Sequence, residues 1–239
     1  MKKISLSVIL MVHNEKKTIE QDIRSYYNTI IEKIPDSELI IAEDGSRDST
    51  RNVIYQLARK LPLVLLTTPH KRGYAKSLRL AFEKTKGELI FYADAGRKHN
   101  ASDFWKLYKK INTFDLVSGY KKQRRDPWYR LLLAWGLNRS VNLYFRVSFR
   151  DIDSGFKLMT KKALHKVLER KWILRDNISL EIVLRVIYSG LKVAEVPITH
   201  LARRFGSSRG LPFKKIPRVI TRLLLTYPSL KKNLLHLKK

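Results

Sequence analysis

The chain has 239 residues, 44% of them hydrophobic, which is enough to bury a large core and excludes global disorder. It contains no Cys, which excludes a disulfide framework and thiolate metal sites. A formal net charge of +28 demands a polyanionic neighbour: nucleic acid, an anionic membrane surface or a phosphorylated substrate.

The elements follow one another in a regular order. Residues 5–12 are an apolar run of strand length that ends at His13-Asn14-Glu15. Residues 17–33 carry Ile19, Ile23, Tyr26, Tyr27, Ile30 and Ile31 at helical spacing, and Pro35-Asp36 stops them. Residues 38–42 form a second buried strand, followed by Glu43-Asp44-Gly45-Ser46. Gly45 permits a sharp turn, and Ser46 or Asp48 caps a helix over 49–59. A short strand spans 63–67, a loop 69–73, and a helix 74–85 with Gly87 as its C-terminal stop. Residues 88–93 are a fourth strand, ending at Asp94. A helix over 102–111 and a strand over 115–119 follow, then a basic loop over 121–125. Residues 128–147 read as an amphipathic helix and 151–157 as a Gly-containing turn. Helices are expected over 161–168 and 178–188, with Gly190 as a stop, and a strand over 192–196. Residues 203–210 are a polar, Gly- and Ser-rich loop.

The charge is uneven along this order. No acidic residue follows Glu195, while eleven Lys and Arg occur from Arg203 to Lys239. From Leu211 onward, Ile216, Val219, Ile220, Leu223, Leu224, Tyr227 and Leu230 recur at helical spacing with Lys214, Lys215, Arg218 and Arg222 between them. Residues 211–239 therefore read as a basic amphipathic tail suited to anionic lipid, appended to a domain over 1–210. No apolar run reaches the roughly 18 residues needed to span a bilayer. The apolar stretch after Met1-Lys2-Lys3 leads straight into the first strand, so no cleaved leader is expected.

Alternating strands and helices imply an α/β fold with a mostly parallel sheet and helices on both faces. Right-handed crossovers put the strand-end motifs on one edge, bringing together His13 to Glu15, Glu43 to Asp44, and Asp94. Taken singly, each motif equally describes a solvated loop with capping acids.

Together, five stretches carry a resemblance across nearly the whole chain. They are Ser7 through Glu15, Glu43-Asp44-Gly45-Ser46-Arg47-Asp48, Asp94-Ala95-Gly96-Arg97-Lys98-His99, Asp151-Ile152-Asp153-Ser154-Gly155-Phe156-Lys157, and Glu195-Val196-Pro197-Ile198 followed by Arg203, Gly206, Ser208 and Arg209. In this order they resemble family 2 glycosyltransferases of the GT-A (Rossmann-like) fold, in the branch of dolichyl- and polyprenyl-phosphate sugar synthases. The resemblance implies a nucleotide-sugar half over 1–119 and an acceptor half over 120–210. It implies nucleotide binding by Met11, His13, Glu15, Glu43, Asp44, Gly73 and Asp94, with carboxylates accepting from base and ribose donors. It implies a divalent cation, Mg²⁺ or Mn²⁺, on Asp94. The family's second acid is here Gly96, so metal affinity should be weaker, or Arg97 and Lys98 assist. Arg203, Ser208 and Arg209 would clamp the diphosphate. Lys121, Lys122 and Arg130 are candidates for the acceptor phosphate, although the Ser expected near Arg130 is Ala134.

Asp94 and Asp153 are the candidate catalytic residues, Asp153 as a base only where the acceptor is a hydroxyl. The implied activity is inverting transfer of a hexose from UDP-glucose or GDP-mannose to a polyprenyl phosphate. The expected location is the cytoplasmic face of a membrane, with a membrane-embedded partner protein as a further expectation. The rival readings are transfer to a saccharide or protein hydroxyl, and a non-catalytic binder of nucleotide sugar or nucleic acid. No nucleic-acid motif is present, which ranks nucleic acid below a membrane surface.

Overall fold

β1 (Leu6–Val12) is buried along its whole length, because it lies between two parallel neighbours and beneath helices on both faces. The computed structural model describes residues 4–122, 128–201 and 216–237. β1 pairs with β2 (Ser37–Glu43) and with β4 (Leu89–Asp94), and β3 (Leu63–Thr67) extends the sheet beyond β2. β5 (Leu116–Lys121), β6 (Phe156–Thr160) and β7 (Val193–Ile198) complete a seven-stranded sheet of order β3-β2-β1-β4-β6-β5-β7.

β6 corrects the sequence reading, in which 151–157 is a turn with no strand after it. β6 runs antiparallel between β4 and β5, the one reversal among the described strands. Its pattern is disguised by Lys157, a charged residue with no exposure at the second position of a core strand. The Lys157 ammonium bonds the Ile152 carbonyl at 3.3 Å, the Ser179 hydroxyl at 2.9 Å and the Ser154 carbonyl. A buried charge is tolerated only with such partners.

Strand periodicity sorts side chains to the two faces. Val8, Leu10 and Val12 join Leu39, Ile41, Phe91 and Ala93 on one face, under α1 (Ile19–Thr29), α2 (Thr50–Ala58) and α4 (Phe104–Tyr108). Ile9, Met11, Ile40, Ile90 and Tyr92 occupy the other, under α3 (Tyr74–Lys84), α6 (Lys161–Leu168) and α7 (Ile178–Tyr188). A fully buried side chain of this size contributes about 1.5–3 kcal/mol, so a one-residue register slip is heavily penalised. Parallel register thus fixes where each strand ends.

Two helices differ from expectation. α5 (Trp128–Phe145) buries Val141 and Phe145, yet leaves Trp128 at 76%, Trp135 at 65% and Leu143 at 74% exposure. Its apolar residues encircle the helix instead of forming one stripe. α8 (Ile216–Leu235) lies within the expected tail, but its second half is a packing element. Tyr227, Leu230 and Leu234 are buried, the Tyr227 ring lies 5.1 Å from that of Phe145, and its hydroxyl meets Ser140 Oγ at 2.9 Å. Ile220, Leu224 and Leu225 in the first half remain exposed.

Candidate active site

Val12 stands opposite Glu43, and Met11 opposite Ala42 and Asp94, so the acidic ends of β1, β2 and β4 share one edge of the sheet. The backbone there turns abruptly. Asn14, Gly45, Gly73, Gly96 and Arg97 all have positive φ. At Gly45 a Cβ would lie 2.4 Å from His70 C and Lys71 N, so only glycine lets the 70–73 loop lie across the β2 turn.

Carboxylates hold this loop. Asp44, nearly buried, accepts from Arg72 N at 2.7 Å, Gly73 N at 3.0 Å and Ser77 Oγ at 2.9 Å, which caps the start of α3. Glu43 accepts from Ser46 N and from Arg51 Nε at 3.1 Å. His13 Nδ1 lies 2.8 Å from the Asp44 carbonyl. A carbonyl only accepts, so Nδ1 carries the hydrogen, which leaves Nε2 to accept from Asn14 Nδ2 at 3.2 Å. Asn14 N also donates to Ser46 Oγ at 2.8 Å, and Arg47 N to Asn14 Oδ1 at 2.7 Å. The first two turns are therefore laced into one wall.

Asp94 projects from the end of β4. Its Oδ1 accepts from Tyr74 OH at 2.8 Å and its Oδ2 from Lys98 Nζ at 3.1 Å. Burial pushes this carboxyl up, but the Lys98 ammonium and the hydrogen bonds from Tyr74 and Lys98 outweigh burial and hold it below the usual range. The loop after Asp94 is anchored by Asp22 of α1, which accepts from Gly96 N at 2.7 Å and Arg97 N at 3.2 Å. Burial raises the Asp22 carboxyl to about 6 despite these donors. His99 is buried, and burial followed by Lys121 lowers it well below the ordinary imidazole value, so it is neutral.

The Gly155 turn abuts the same carboxylate. Asp94 N donates to the Gly155 carbonyl at 3.1 Å, and a Cβ on Gly155 would lie 2.7 Å from Asp94 Oδ2. Asp153, in that turn, accepts from Asn177 Nδ2 at 2.8 Å, and burial raises its carboxyl to about 6. Burial lowers the Lys157 ammonium to about 8. Glu195 on β7 fixes the turn by accepting from Arg150 N at 2.9 Å and Asp151 N at 3.0 Å. Lys121 joins this side, with its Nζ 4.0 Å from Asp151 Oδ2. Lys122 follows it, exposed, and Arg130 stands in the first turn of α5. Arg203, Ser208 and Arg209 lie outside the described residues.

The donor set does not fit a divalent ion held between Asp94 and a second acid at position 96. Gly96 stands where the resemblance places the second acid, and its φ of +93° disfavours any side chain there. A Cβ at Gly96 would lie 2.9 Å from Glu15 Oε1, so Glu15 fills that space. Glu15 thus brings its own carboxylate beside the turn, and Asp94 is already ion-paired to Lys98. Among the described residues no cluster of three or more acidic or His side chains forms a metal centre.

Residues 7–168 match the model of glycosyl transferase family 2, a span that runs from β1 through α6 and contains the whole edge just described. The chain belongs to this family. It is 26% identical over 211 residues to dolichyl-phosphate beta-glucosyltransferase ALG5A of Trichomonas vaginalis, covering 82% of this chain and 65% of that protein. It is 24% identical over 214 residues to the human dolichyl-phosphate beta-glucosyltransferase, covering 81% and 66%. The chain thus spans slightly under two thirds of the length of these relatives. Among solved structures, glucosyl-3-phosphoglycerate synthase from Mycobacterium tuberculosis in complex with phosphoglyceric acid matches with a TM-score of 0.73 at 17% identity, covering 95% of this chain and 80% of that one. The same enzyme with Mn²⁺, UDP-glucose and phosphoglyceric acid matches at 0.70 and 17%, covering 95% and 79%. The GT-A fold expected from the sequence is the fold observed.

Asp22, Tyr74 and Asn177 carry no motif, and Lys157 ends one in which it had no assigned role. Asp22 did leave a signal: it sits between Ile19 and Ile23 on the buried stripe of α1, where an acid needs a buried donor.

Proposed function

We propose that this chain is an inverting transferase that moves a hexose from a nucleoside-diphosphate sugar to a polyprenyl phosphate at a membrane surface. The observation that carries this reading is the in-register convergence of the β1, β2 and β4 ends beside the Gly155 turn. A donor lying along the first wall would reach the acceptor side at Asp94. Met11, His13, Glu15, Asp44 and Gly73 would line the nucleoside site, with Glu43 bracing its turn. Arg203, Ser208 and Arg209 would meet the diphosphate. Lys121, Lys122 and Arg130 would meet the acceptor phosphate.

In the proposed step an oxygen of the lipid phosphate attacks the anomeric carbon from the face opposite the leaving group. The bond from that carbon to the diphosphate oxygen breaks, and its electron pair leaves with the nucleoside diphosphate. A phosphate nucleophile is already ionised near neutral pH, so no general base is needed. Alignment and charge neutralisation then supply the acceleration. The dolichyl-phosphate glucosyltransferases among the relatives support glucose and a lipid phosphate as the pair. The Mn²⁺ in a solved neighbour supports a need for positive charge beside the diphosphate.

No helix among the described residues is long and apolar enough to cross a membrane. The exposed Trp128, Leu132, Trp135 and Leu143 of α5, and Ile220, Leu224 and Leu225 of α8, support contact with a bilayer surface, as does the basic C-terminal sequence. The test is incubation with radiolabelled UDP-glucose or GDP-mannose and dolichyl phosphate, followed by solvent extraction. Label in the organic phase is the expected result, and its absence with both donors would sink the reading.

A second reading, transfer to a hydroxyl, is favoured by one observation: burial raises Asp153 to about 6, a value suited to a general base. Label confined to a saccharide or protein acceptor would support it.

A further inference from the structure

We propose that the ammonium of Lys98 occupies the place of a divalent ion toward the donor diphosphate, so that nucleotide binding and transfer proceed without metal. The proposal rests on the nucleotide-sugar reading above and concerns how that same site neutralises charge.

Three independent features lead to it. Lys98 Nζ lies 3.1 Å from Asp94 Oδ2, an ion pair made directly at the strand end where a metal would be held. The Lys98 side chain is 40% exposed and that of Asp94 23%, so the pair is open to solvent instead of closed in the core. An ammonium has three donors, and one on Asp94 leaves others for phosphate oxygens.

The backbone that carries Lys98 is also fixed. Asp22 holds Gly96 N and Arg97 N, and the Lys98 carbonyl accepts from Leu201 N at 3.1 Å. A lysine on a pinned loop keeps its charge in one place, as a bound ion would. Tyr74 fills the other oxygen of Asp94 and orients the carboxylate toward Lys98.

Finally, the alternative is obstructed. An ion on Asp94 would have to displace Lys98 or sit beside a like charge, and Gly96 provides no second carboxylate. Glu15 occupies the space a side chain at 96 would take. Like charges on one carboxylate repel each other, which weakens an ion's hold there.

The test uses the full chain and titrates UDP and GDP calorimetrically, once with EDTA and once with millimolar Mn²⁺ or Mg²⁺. Wild-type affinity for the preferred nucleotide should agree between the two conditions within about twofold, whereas Lys98→Gln should weaken it at least tenfold in EDTA, the scale of a lost charge-assisted contact. Freed of its lysine, Asp94 should let Mn²⁺ restore part of that loss. Thermal melts check that the variant is folded, and the wild-type comparison stands without it. Binding by the wild type that vanishes in EDTA and returns with Mn²⁺ overturns the Lys98 assignment and leaves the nucleotide reading intact. Failure of both nucleotides to bind in every condition overturns both.

Discussion

The two halves of the site use their acids differently. On the β1–β2 side, Glu43, Asp44 and Asp22 accept chiefly from backbone N–H groups and thereby shape three loops. On the Gly155 side, half-buried Asp153 and buried Lys157 lie close enough to act on each other, and burial moves both away from their ordinary values. The first arrangement builds a rigid wall. The second stores a proton equilibrium near neutral pH. Asp94 stands at the seam, touching Tyr74 from one side and Gly155 from the other.

The seam is where a substitution should cost most. Asp94→Asn keeps the shape but removes the charge that positions Lys98. Transfer should fall by about 10²–10³-fold, the scale of losing one preorganised electrostatic contact. Melting should change little, since the carboxylate is partly exposed. Radiolabel transfer measured beside a thermal melt checks both. Activity within tenfold of wild type would remove Asp94 from the reacting centre.

The wall should fail through its shape. Gly45→Ala places a Cβ 2.4 Å from the backbone of the 70–71 segment, at a φ of +59°. The forced shift should cost more than about 1 kcal/mol and lower melting by several degrees. It should also weaken nucleotide binding, because the loop held by Asp44 would move. A stable variant with unaltered nucleotide affinity would show that the wall does not shape the site.

Much of this wall was legible in the sequence, and the reason is local. Apolar runs that end in Asn14-Glu15, Glu43-Asp44 and Asp94 announce both the strand and its end, and parallel register does the rest. The acceptor side was harder to read. Lys157 interrupts β6 with a charge whose partners, the Ile152 carbonyl and Ser179, lie in a preceding turn and a later helix. α8 reads as a lipid-facing helix because burial of Tyr227, Leu230 and Leu234 depends on neighbouring helices, α5 and α7, not on its own spacing. Gly96 reads as a lost metal ligand, whereas the Lys98 contact is visible only once the loop is folded.

The proton equilibrium of the acceptor side gives a pH prediction. Asp153 is raised from 3.8 to about 6, so the folded chain binds this proton more tightly than the unfolded chain. Its stabilising contribution is complete below about pH 4 and is lost as pH rises through about 6. The shift already includes the attraction of Lys157, and burial still dominates. Asp153→Asn should therefore match wild type near pH 3.5 and exceed it above pH 6 by on the order of 2 kcal/mol. Denaturant melts across pH 3.5–8 check this. The same variant separates the acceptors: transfer to a lipid phosphate should stay within about tenfold, while transfer to a hydroxyl should fall by about 10²–10⁴-fold.

The smallest effect belongs to charges that neither shape a loop nor sit in the core. Glu20 and Arg24 pair at 2.9 Å along α1, with side chains 54% and 47% exposed. Both ends are solvated, and each side chain loses rotamer freedom when the pair forms. Glu20→Gln should shift stability by less than about 0.5 kcal/mol and leave nucleotide affinity unchanged. Asp22, two residues on and on the buried stripe of the same helix, provides the contrast. Asp22→Ala would leave Gly96 N and Arg97 N without an acceptor and should cost about 1–3 kcal/mol. If the two substitutions had equal effects, the division between shaping acids and surface acids would fail on the helix where it is easiest to measure.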